Sequence, residues 1–320
     1  MNLIKKIKKQ IKKISFIVKL KKKIWFLLKL DDKFHPIFNK EDYFLRIFEE
    51  TPNFKSLSFN EGLVKGEFDK TTFFIKYHPK DIIGSQVYLK GLWEPHIINL
   101  ISTYIKDNDG SVLDIGANIG VISIPLAKKF KDVNFFLFEP HPEIFKELDT
   151  NVSYNRLKNV NTFNVAISDI HNEYKTLYAA KDYENRGLSS LKINHDNKIY
   201  EKIDVKCFNI DKFFEQKNIK IDVIKIDTQG TELQILQSSR NTIKKNKPVI
   251  IFEFESEYFD SEEDLKNSKN QILEFFKTEN YDLYMIDPNL SYFPKLNLNF
   301  YFRGEVLALP KFYESKKNNF

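Results

Sequence analysis

The chain has few of the cysteine, glycine and proline residues on which disulfide-rich, zinc-binding and fibrous proteins depend. Among its 320 residues there is one cysteine, Cys207, which excludes an internal disulfide and a zinc site made of several cysteines and favours a reducing, cytoplasmic compartment. Ten glycines and eleven prolines are too few for a collagen-like chain or a linker. Large apolar side chains are abundant: 30 Phe and 15 Tyr, within an apolar fraction of 42%, predict a folded protein with a substantial core.

Acidic residues are missing from the first 30 positions, where eleven lysines alternate with apolar residues at three- and four-residue spacing. This pattern predicts a basic amphipathic helix over 1–30, too interrupted by lysine to cross a membrane or to serve as a signal peptide. Such a helix can lie on an anionic membrane surface or pack against protein. The remaining residues, 39 basic and 44 acidic, carry a net charge of −5, which argues against nucleic acid as a partner.

The rest of the chain falls into two parts. Residues 31–90 contain short apolar runs punctuated by proline and glycine, which predicts a small N-terminal α/β region. From Ser111 onward, strand-like and helical segments alternate, which predicts an α/β domain built on a parallel sheet, with bounds at 91–315. Within it, the polar residues 170–206 lengthen one connection and predict a small hairpin or a lid.

A short apolar strand over 112–115 runs into a turn that contains Gly116 and Gly120, and then into a helix. Glycine permits a tight turn and lets a ligand approach a helix N-terminus closely, so this segment predicts nucleotide binding. A dinucleotide loop has three glycines around the pyrophosphate, whereas this loop has Asn118 between two, which disfavours a nicotinamide cofactor. The next strand ends at Glu139, whose carboxylate is placed to accept the ribose hydroxyls of an adenosine.

Five segments stand in a characteristic order and spacing. They are VLDIGANIG (112–120), FEPHP (138–142), VAISD (165–169), KIDTQGTE (225–232) and PVIIFE (248–253). Together they resemble the FkbM family of S-adenosylmethionine-dependent methyltransferases, over roughly residues 91–255. The resemblance implies a class I methyltransferase fold, which is Rossmann-like with a seven-stranded sheet, and mostly O-methylation, often of sugar, glycolipid or polyketide hydroxyls. One departure is Gln229, where the family more often has glutamate.

The resemblance also implies a cofactor site for S-adenosyl-L-methionine. The glycine turn would hold the methionine portion, Glu139 the ribose, and the segment 166–169 the adenine edge. Gly91–Glu94 resembles the family's segment just before the nucleotide loop. The implied cofactor-binding residues are Glu94, Asp114, Gly116, Asn118, Gly120, Glu139, Ala166, Ser168 and Asp169. For the last two, an ordinary turn is the alternative.

Acidic residues follow two neighbouring strands of the predicted sheet. The strand over 223–226 ends at Asp227, with Glu232 at the start of the next helix, and the following strand ends at Glu253. Ligands bind beyond the carboxyl ends of such strands, so we predict these three as catalytic, a carboxylate taking the proton of the acceptor hydroxyl. Two alternatives stay open: Asp227 and Glu253 hold a divalent cation, or Asp227 and Glu232 only cap a helix.

The leading hypothesis is therefore an O-methyltransferase for a saccharide or glycolipid hydroxyl. We expect it to be cytoplasmic, with peripheral association at the inner membrane face through residues 1–30. The rivals are a methyltransferase for a soluble small molecule or polyketide, a non-catalytic nucleotide-binding scaffold, and a nicotinamide oxidoreductase. Methylation of nucleic-acid bases is disfavoured, because the loop after the fourth strand lacks an Asn/Asp-Pro-Pro-aromatic sequence.

Overall fold

A computed structural model describes residues 62–77, 82–106, 109–180, 187, 189–192, 200–259, 261–286, 294–296 and 304–311. The amphipathic helix predicted over 1–30 lies outside these residues and stays a prediction. Within the described ranges, no helix has the length and apolar character needed to cross a membrane.

The described residues form twelve strands and eight α-helices. The strands are β1 (Gly62–Phe68), β2 (Thr71–Tyr77), β3 (Ser111–Ile115), β4 (Asn134–Phe138), β5 (Val160–Phe163), β6 (Ala166–Ile167), β7 (Glu173–Ala180), β8 (Tyr200–Phe208), β9 (Val223–Ile226), β10 (Val249–Phe254), β11 (Tyr281–Met285) and β12 (Gly304–Pro310). The α-helices are α1 (Ile82–Lys90), α2 (Pro95–Tyr104), α3 (Ser123–Lys129), α4 (Pro142–Tyr154), α5 (Ile210–Phe214), α6 (Glu232–Ser238), α7 (Arg240–Asn246) and α8 (Glu262–Thr278).

The largest sheet has seven strands in the order β11-β12-β10-β9-β3-β4-β5. The strands from β10 to β5 run parallel, and β12 is antiparallel to both of its neighbours. The chain winds outward in both directions from β3, so the strand order reverses between β3 and β9, and a crevice is expected at their carboxyl ends. The predicted α/β fold with a seven-stranded Rossmann-like sheet is confirmed.

Each face of this sheet is covered by an apolar core. Side chains alternate along each strand, so Phe135 and Leu137 of β4 enter one core while Phe136 and Phe138 enter the other. The central strands are buried on both faces and read as nearly continuous apolar runs. The charged exceptions in β3 and β9 are Asp114 and Lys225, which are register partners across the two strands. A buried charge pair thus lies next to the crevice.

The hairpin of β1 and β2 packs on the helical layer that covers β3 and β4. In β1, buried and exposed residues alternate strictly, as expected for a strand with one covered face. Asn151 of α4 and Asn155, which directly follows α4, bond to the backbone of β2: their Oδ1 atoms accept from the amides of Lys76 and Phe74 at 2.6 and 2.9 Å. The described part of the region predicted over 31–90 therefore shares a core with the main domain.

A second sheet, in the order β6-β8-β7, branches off after β5. Strands β7 and β8 are antiparallel over eight residue pairs, which confirms the predicted hairpin. Between them, Ser190 pairs with Tyr178 through two backbone hydrogen bonds, and its hydroxyl donates to the carbonyl oxygen of Gln229 at 2.9 Å. The connection between the two strands therefore reaches the loop that follows β9.

Candidate active site

The loop after β3 is held close to the loop after β9. The amides of Gly116 and Ala117 both donate to the carbonyl oxygen of Phe138 at 3.0 Å, which ties this loop to the end of β4. Gly116 has φ +81°, and a Cβ there would lie 1.9 Å from the carbonyl oxygen of Asp227. Only glycine fits, because both the left-handed backbone and the close approach exclude a side chain. Asn118 is also left-handed, with φ +51°.

Glu139 lies at the end of β4 with its carboxylate almost fully buried. Its two oxygens accept from the backbone amides of Asn118 and His141, at 3.0 and 2.9 Å. Burial raises the pKa of Glu139 to about 7, although these two amides act in the opposite direction. A carboxylate has about four acceptor positions, so two remain for further donors. This is the capacity that binding of two ribose hydroxyls requires.

Lys225 connects the strand ends of β3 and β9. Its Nζ lies 3.4 Å from Oδ1 of Asp114 and 3.5 Å from Oδ2 of Asp227. Burial lowers the pKa of Lys225, but the nearby carboxylates more than offset this and hold its pKa above the ordinary value. Asp114 is buried, and its other oxygen accepts from the Ser123 hydroxyl at 2.6 Å. Asp227, by contrast, has a side chain that is 38% exposed.

Asp227 and Glu253 are brought together at the ends of β9 and β10 by Gln229. Its Nε2 donates to Oδ1 of Asp227 at 3.0 Å and to Oε2 of Glu253 at 3.2 Å. The hydroxyl of Tyr258 donates to the same Oε2 at 2.8 Å. Burial, and then the charge of Asp227, raise the pKa of Glu253 to about 9. At neutral pH, Glu253 therefore favours its protonated form.

Glu94 faces the same crevice from the turn before α2. It precedes the helix in a left-handed conformation, with φ 41°. Burial, and then the charges of Glu305 and Asp227, raise the pKa of Glu94 to about 8. Glu305, at the start of β12, forms an ion pair with His96, with 2.7 Å between Oε2 and Nε2. The charge of Glu94 also acts on Lys225, so carboxyl groups from three separate parts of the chain, Glu94, Asp114 and Asp227, favour the charged form of this buried lysine.

The matching family model, the methyltransferase FkbM domain, covers residues 114–283, just over half of the chain. The chain belongs to the FkbM methyltransferase family. It is an S-adenosylmethionine-dependent methyltransferase, as the sequence resemblance predicted.

Similar proteins are distant in sequence. The methyltransferase sdnD of Sordaria araneosa is 23% identical over an alignment of 193 residues, and the match covers 51% of this chain and 72% of the relative. The solved methyltransferase FkbM of Methylobacillus flagellatus KT is 16% identical with a TM-score of 0.39, over 70% of this chain and 52% of that chain. Precorrin-6y C5,15-methyltransferase of Geobacter metallireducens GS-15 is 11% identical with a TM-score of 0.38, over 68% and 90%.

In this FkbM methyltransferase, the carboxylate of Glu232 points back toward the loop that precedes α6. Its Oε1 accepts from the amides of Thr228 and Gly230, at 3.3 and 3.1 Å, and from the hydroxyl of Thr228 at 3.1 Å. Burial raises the pKa of Glu232 to about 7. All three donors precede α6, so these hydrogen bonds close the loop between β9 and α6 and do not reach the first-turn amides of the helix. Asp227 and Glu253 are the two predicted acids that share a hydrogen-bond partner.

The predicted adenine-edge residues lie beyond the end of β5, where β6 pairs with β8. Ala166 and Ser168 are buried, and the Ser168 hydroxyl accepts from the amide of Ile170 at 3.3 Å. Asp169 is exposed and forms an ion pair with Lys175. Gly120, also on the predicted list, has φ +87° at the start of the helical layer, where a Cβ would lie 2.7 Å from Ile124.

Sequence reasoning missed several residues of this site. Lys225 carried a signal, because a charged residue inside a four-residue apolar strand needs a buried partner. His96 and Glu305 carried none, since 209 residues separate them. Tyr258 follows β10 in a short 3₁₀ turn, and no sequence pattern indicates its contact with Glu253.

The raised carboxyl pKa values predict how stability depends on pH. Glu94, Glu139, Glu232 and Glu253 have ordinary values of 4.5 and folded values of about 7 to 9. Between these limits the folded state binds more protons than the unfolded state, so the free energy of unfolding falls as pH rises. We expect the Tm, measured by calorimetry, to decrease from pH 6 to pH 9.

Glu253→Gln is the matched variant for this measurement, because glutamine keeps an oxygen for Tyr258 and Gln229 but takes up no proton. It should make the fall with pH shallower, by at most about 1.4 kcal/mol per pH unit. A Tm that rises over this range, or a variant whose profile runs parallel to the wild type, would contradict the proton uptake assigned to Glu253.

Proposed function

We propose that this protein is an O-methyltransferase that transfers the methyl group of S-adenosyl-L-methionine to a hydroxyl of a saccharide or glycolipid. The choice of a saccharide or glycolipid as acceptor is supported by a cavity beside the loop between β9 and α6, which is lined by polar side chains and one aromatic ring.

The cofactor would lie across the loop after β3. Glu139 has acceptor positions left for the ribose hydroxyls, and Gly116 and Asn118 supply a left-handed turn free of a side chain at Gly116. Glu94 would face the methionine portion. Asp114 is fully buried, so its contribution is to hold Ser123 and Lys225 in place. Bound S-adenosylmethionine supplies an electrophilic methyl group on a sulfonium.

Asp227 is the carboxylate best suited to accept the proton of the acceptor hydroxyl. It is ion-paired with Lys225 and has a side chain that is 38% exposed, so an acceptor can reach it. The pKa of Glu253 is raised to about 9, which makes Glu253 a poor proton acceptor at neutral pH. A base within hydrogen-bond reach accelerates such a transfer by about 10²–10⁴-fold. A divalent cation held by Asp227 and Glu253 is the competing arrangement.

The cavity has a volume of about 390 Å³, within the range of small-molecule sites. Its lining combines an apolar wall, Leu233 and Phe259, with amide, hydroxyl, carboxyl and amino groups. The polar lining residues are Lys192, Gln234, Asp264, Asn267, Ser268 and Gln271. The ammonium of Lys192 lies 4.2 Å from the ring centroid of Phe259 and closes one side. A sugar presents one apolar ring face and a rim of hydroxyls, which such a lining complements.

Ser268→Trp tests the acceptor class by filling the cavity from α8. Transfer of tritiated methyl from S-adenosylmethionine to the saccharide and glycolipid fractions of the source cells should fall by at least about tenfold, since binding would lose most of the cavity. Asn270→Trp, exposed on the same helix, is the control and should transfer normally. Affinity for S-adenosylhomocysteine should be unchanged in both.

Other outcomes of this assay point to the rivals. If the tritiated methyl group appeared in a soluble small molecule or a polyketide and not in saccharide, that molecule would be the acceptor in place of a saccharide or glycolipid. Intact S-adenosylhomocysteine binding without transfer to any fraction would favour a non-catalytic scaffold. A chain that lacks residues 1–30 separates two acceptors: it should lose transfer to a glycolipid in vesicles while it keeps transfer to a soluble saccharide, because the proposed peripheral membrane contact is basic and amphipathic.

A further inference from the structure

Gln229 occupies the space between the two carboxyl groups that end β9 and β10. Its backbone is left-handed, with φ 58°, an unfavourable conformation for a residue with a side chain. In this conformation, Nε2 reaches Oδ1 of Asp227 at 3.0 Å and Oε2 of Glu253 at 3.2 Å. Both hydrogens of the amide group are therefore used on carboxyl oxygens. The amide oxygen, Oε1, is buried and has no hydrogen-bond partner among the described residues.

Two carboxyl groups that face each other need a proton, a cation or shared hydrogen-bond donors between them. An amide group supplies two donors and no formal charge. A divalent cation such as Mg²⁺ or Ca²⁺ would need about six to eight oxygen ligands, the carboxyl oxygens among them, at about 2.0–2.6 Å. Here the nitrogen of Gln229 lies where those oxygens converge, and it presents hydrogens to them. Within the described ranges, no group of three or more His, Cys, Asp or Glu residues could hold a metal ion.

We infer that Gln229 is a positioning residue that takes the place of a divalent cation between Asp227 and Glu253. The donors of its amide orient both carboxyl groups toward the crevice, and the pair does not form a metal site as the chain stands. The arrangement in which Asp227 and Glu253 bind a divalent cation, left open by the sequence, does not fit these residues. The effect of Gln229 on methyl transfer rests on the proposed function, in which Asp227 accepts the proton. The absence of a metal site between the two carboxyl groups does not rest on it.

Gln229→Glu tests this inference, because it replaces the amide with a third carboxylate of the same shape. We expect the variant to bind one Mn²⁺ per chain in calorimetry, at least about tenfold more tightly than the wild type, since three carboxylates give hard oxygen ligands. Asp227→Asn added to Gln229→Glu should remove this binding. Gln229→Met, which keeps the length of the side chain without donors or ligands, should bind no Mn²⁺.

A merely structural role would not produce this gain of metal binding. It would also not produce the expected pattern in transfer assays: activity of the wild type unaffected by EDTA, and activity of Gln229→Glu, but not of Gln229→Met, changed by added Mn²⁺. Tight Mn²⁺ binding by the wild type that Asp227→Asn abolishes would overturn the inference. So would a folded Gln229→Glu chain that binds none. The calorimetric measurement of Mn²⁺ binding does not depend on methyl transfer. A failure of this inference can therefore be distinguished from a failure of the proposed function.

Discussion

Asp227→Asn should reduce methyl transfer by about 10²–10⁴-fold while leaving the affinity for S-adenosylhomocysteine unchanged, because the variant removes the proton acceptor and keeps the shape of the side chain. The carboxylate lies 3.5 Å from Lys225, accepts from Gln229 and is 38% exposed, so it is the reachable acid of the pair at the ends of β9 and β10. Single-turnover rates and calorimetry measure the two quantities separately.

Two further variants serve as controls for this result. Glu139→Ala should behave in the opposite way, with a large loss of S-adenosylhomocysteine affinity, since its carboxylate is placed for the ribose. Asp204→Asn removes an exposed carboxylate on β8 and should change neither quantity. If Asp227→Asn transferred methyl at the wild-type rate, the base would have to be another group, and the assignment of Asp227 would fail.

Lys225→Met should destabilise the fold by about 3–5 kcal/mol, the cost typical of breaking a buried ion pair by removing one partner. Methionine fills a similar space, so the loss comes mainly from leaving Asp114 and Asp227 without their cation. Asp114 cannot reach water, since its residue in β3 is only 1% exposed. The midpoint of urea unfolding, with its slope, measures the change in the free energy of unfolding.

Lys244→Met is the matched control, because Lys244 is exposed on α7, and we expect a change within about 0.5 kcal/mol. Asp227→Asn combined with Lys225→Met should cost less than the sum of the two single changes, since both remove the same ion pair. If Lys225→Met unfolded at the same urea concentration as Lys244→Met, Lys225 could not be the buried partner of two carboxylates.

The elements of the fold were largely predictable because their patterns are local. The four-residue strand at 223–226 was predicted with the bounds of β9, and the strand predicted over 112–115 is β3, Ser111–Ile115. Parallel strands buried on both faces give continuous apolar runs, and helices packed on them give a 3.6-residue period. Strand bounds moved by one or two residues where backbone pairing extends past the apolar run, as in β10, which reaches Phe254.

Side-chain partners were harder to predict, because they depend on distances across the fold. The sequence placed Asp227 and Glu253 at neighbouring strand ends, yet it contained no indication that Gln229 would join them. It named Glu232 as a catalytic acid, which stays a prediction, but it did not indicate the three hydrogen bonds from the loop over 228–230 to this carboxylate. The direction in which a side chain turns at a strand end is set by loop conformation, which in this loop includes a left-handed residue.

By itself, the sequence determined the α/β class, the order of the motifs, the FkbM family and the strand ends at which the acids stand, because apolar periodicity, glycine turns and motif spacing are properties of neighbouring residues. Only the tertiary structure decided which acids accept from the same hydrogen-bond donor and which are buried enough to hold a proton at neutral pH. It also decided that Lys225 lies between Asp114 and Asp227. Burial and charge proximity arise when strands distant in sequence pair side by side, and they set the chemistry of the site.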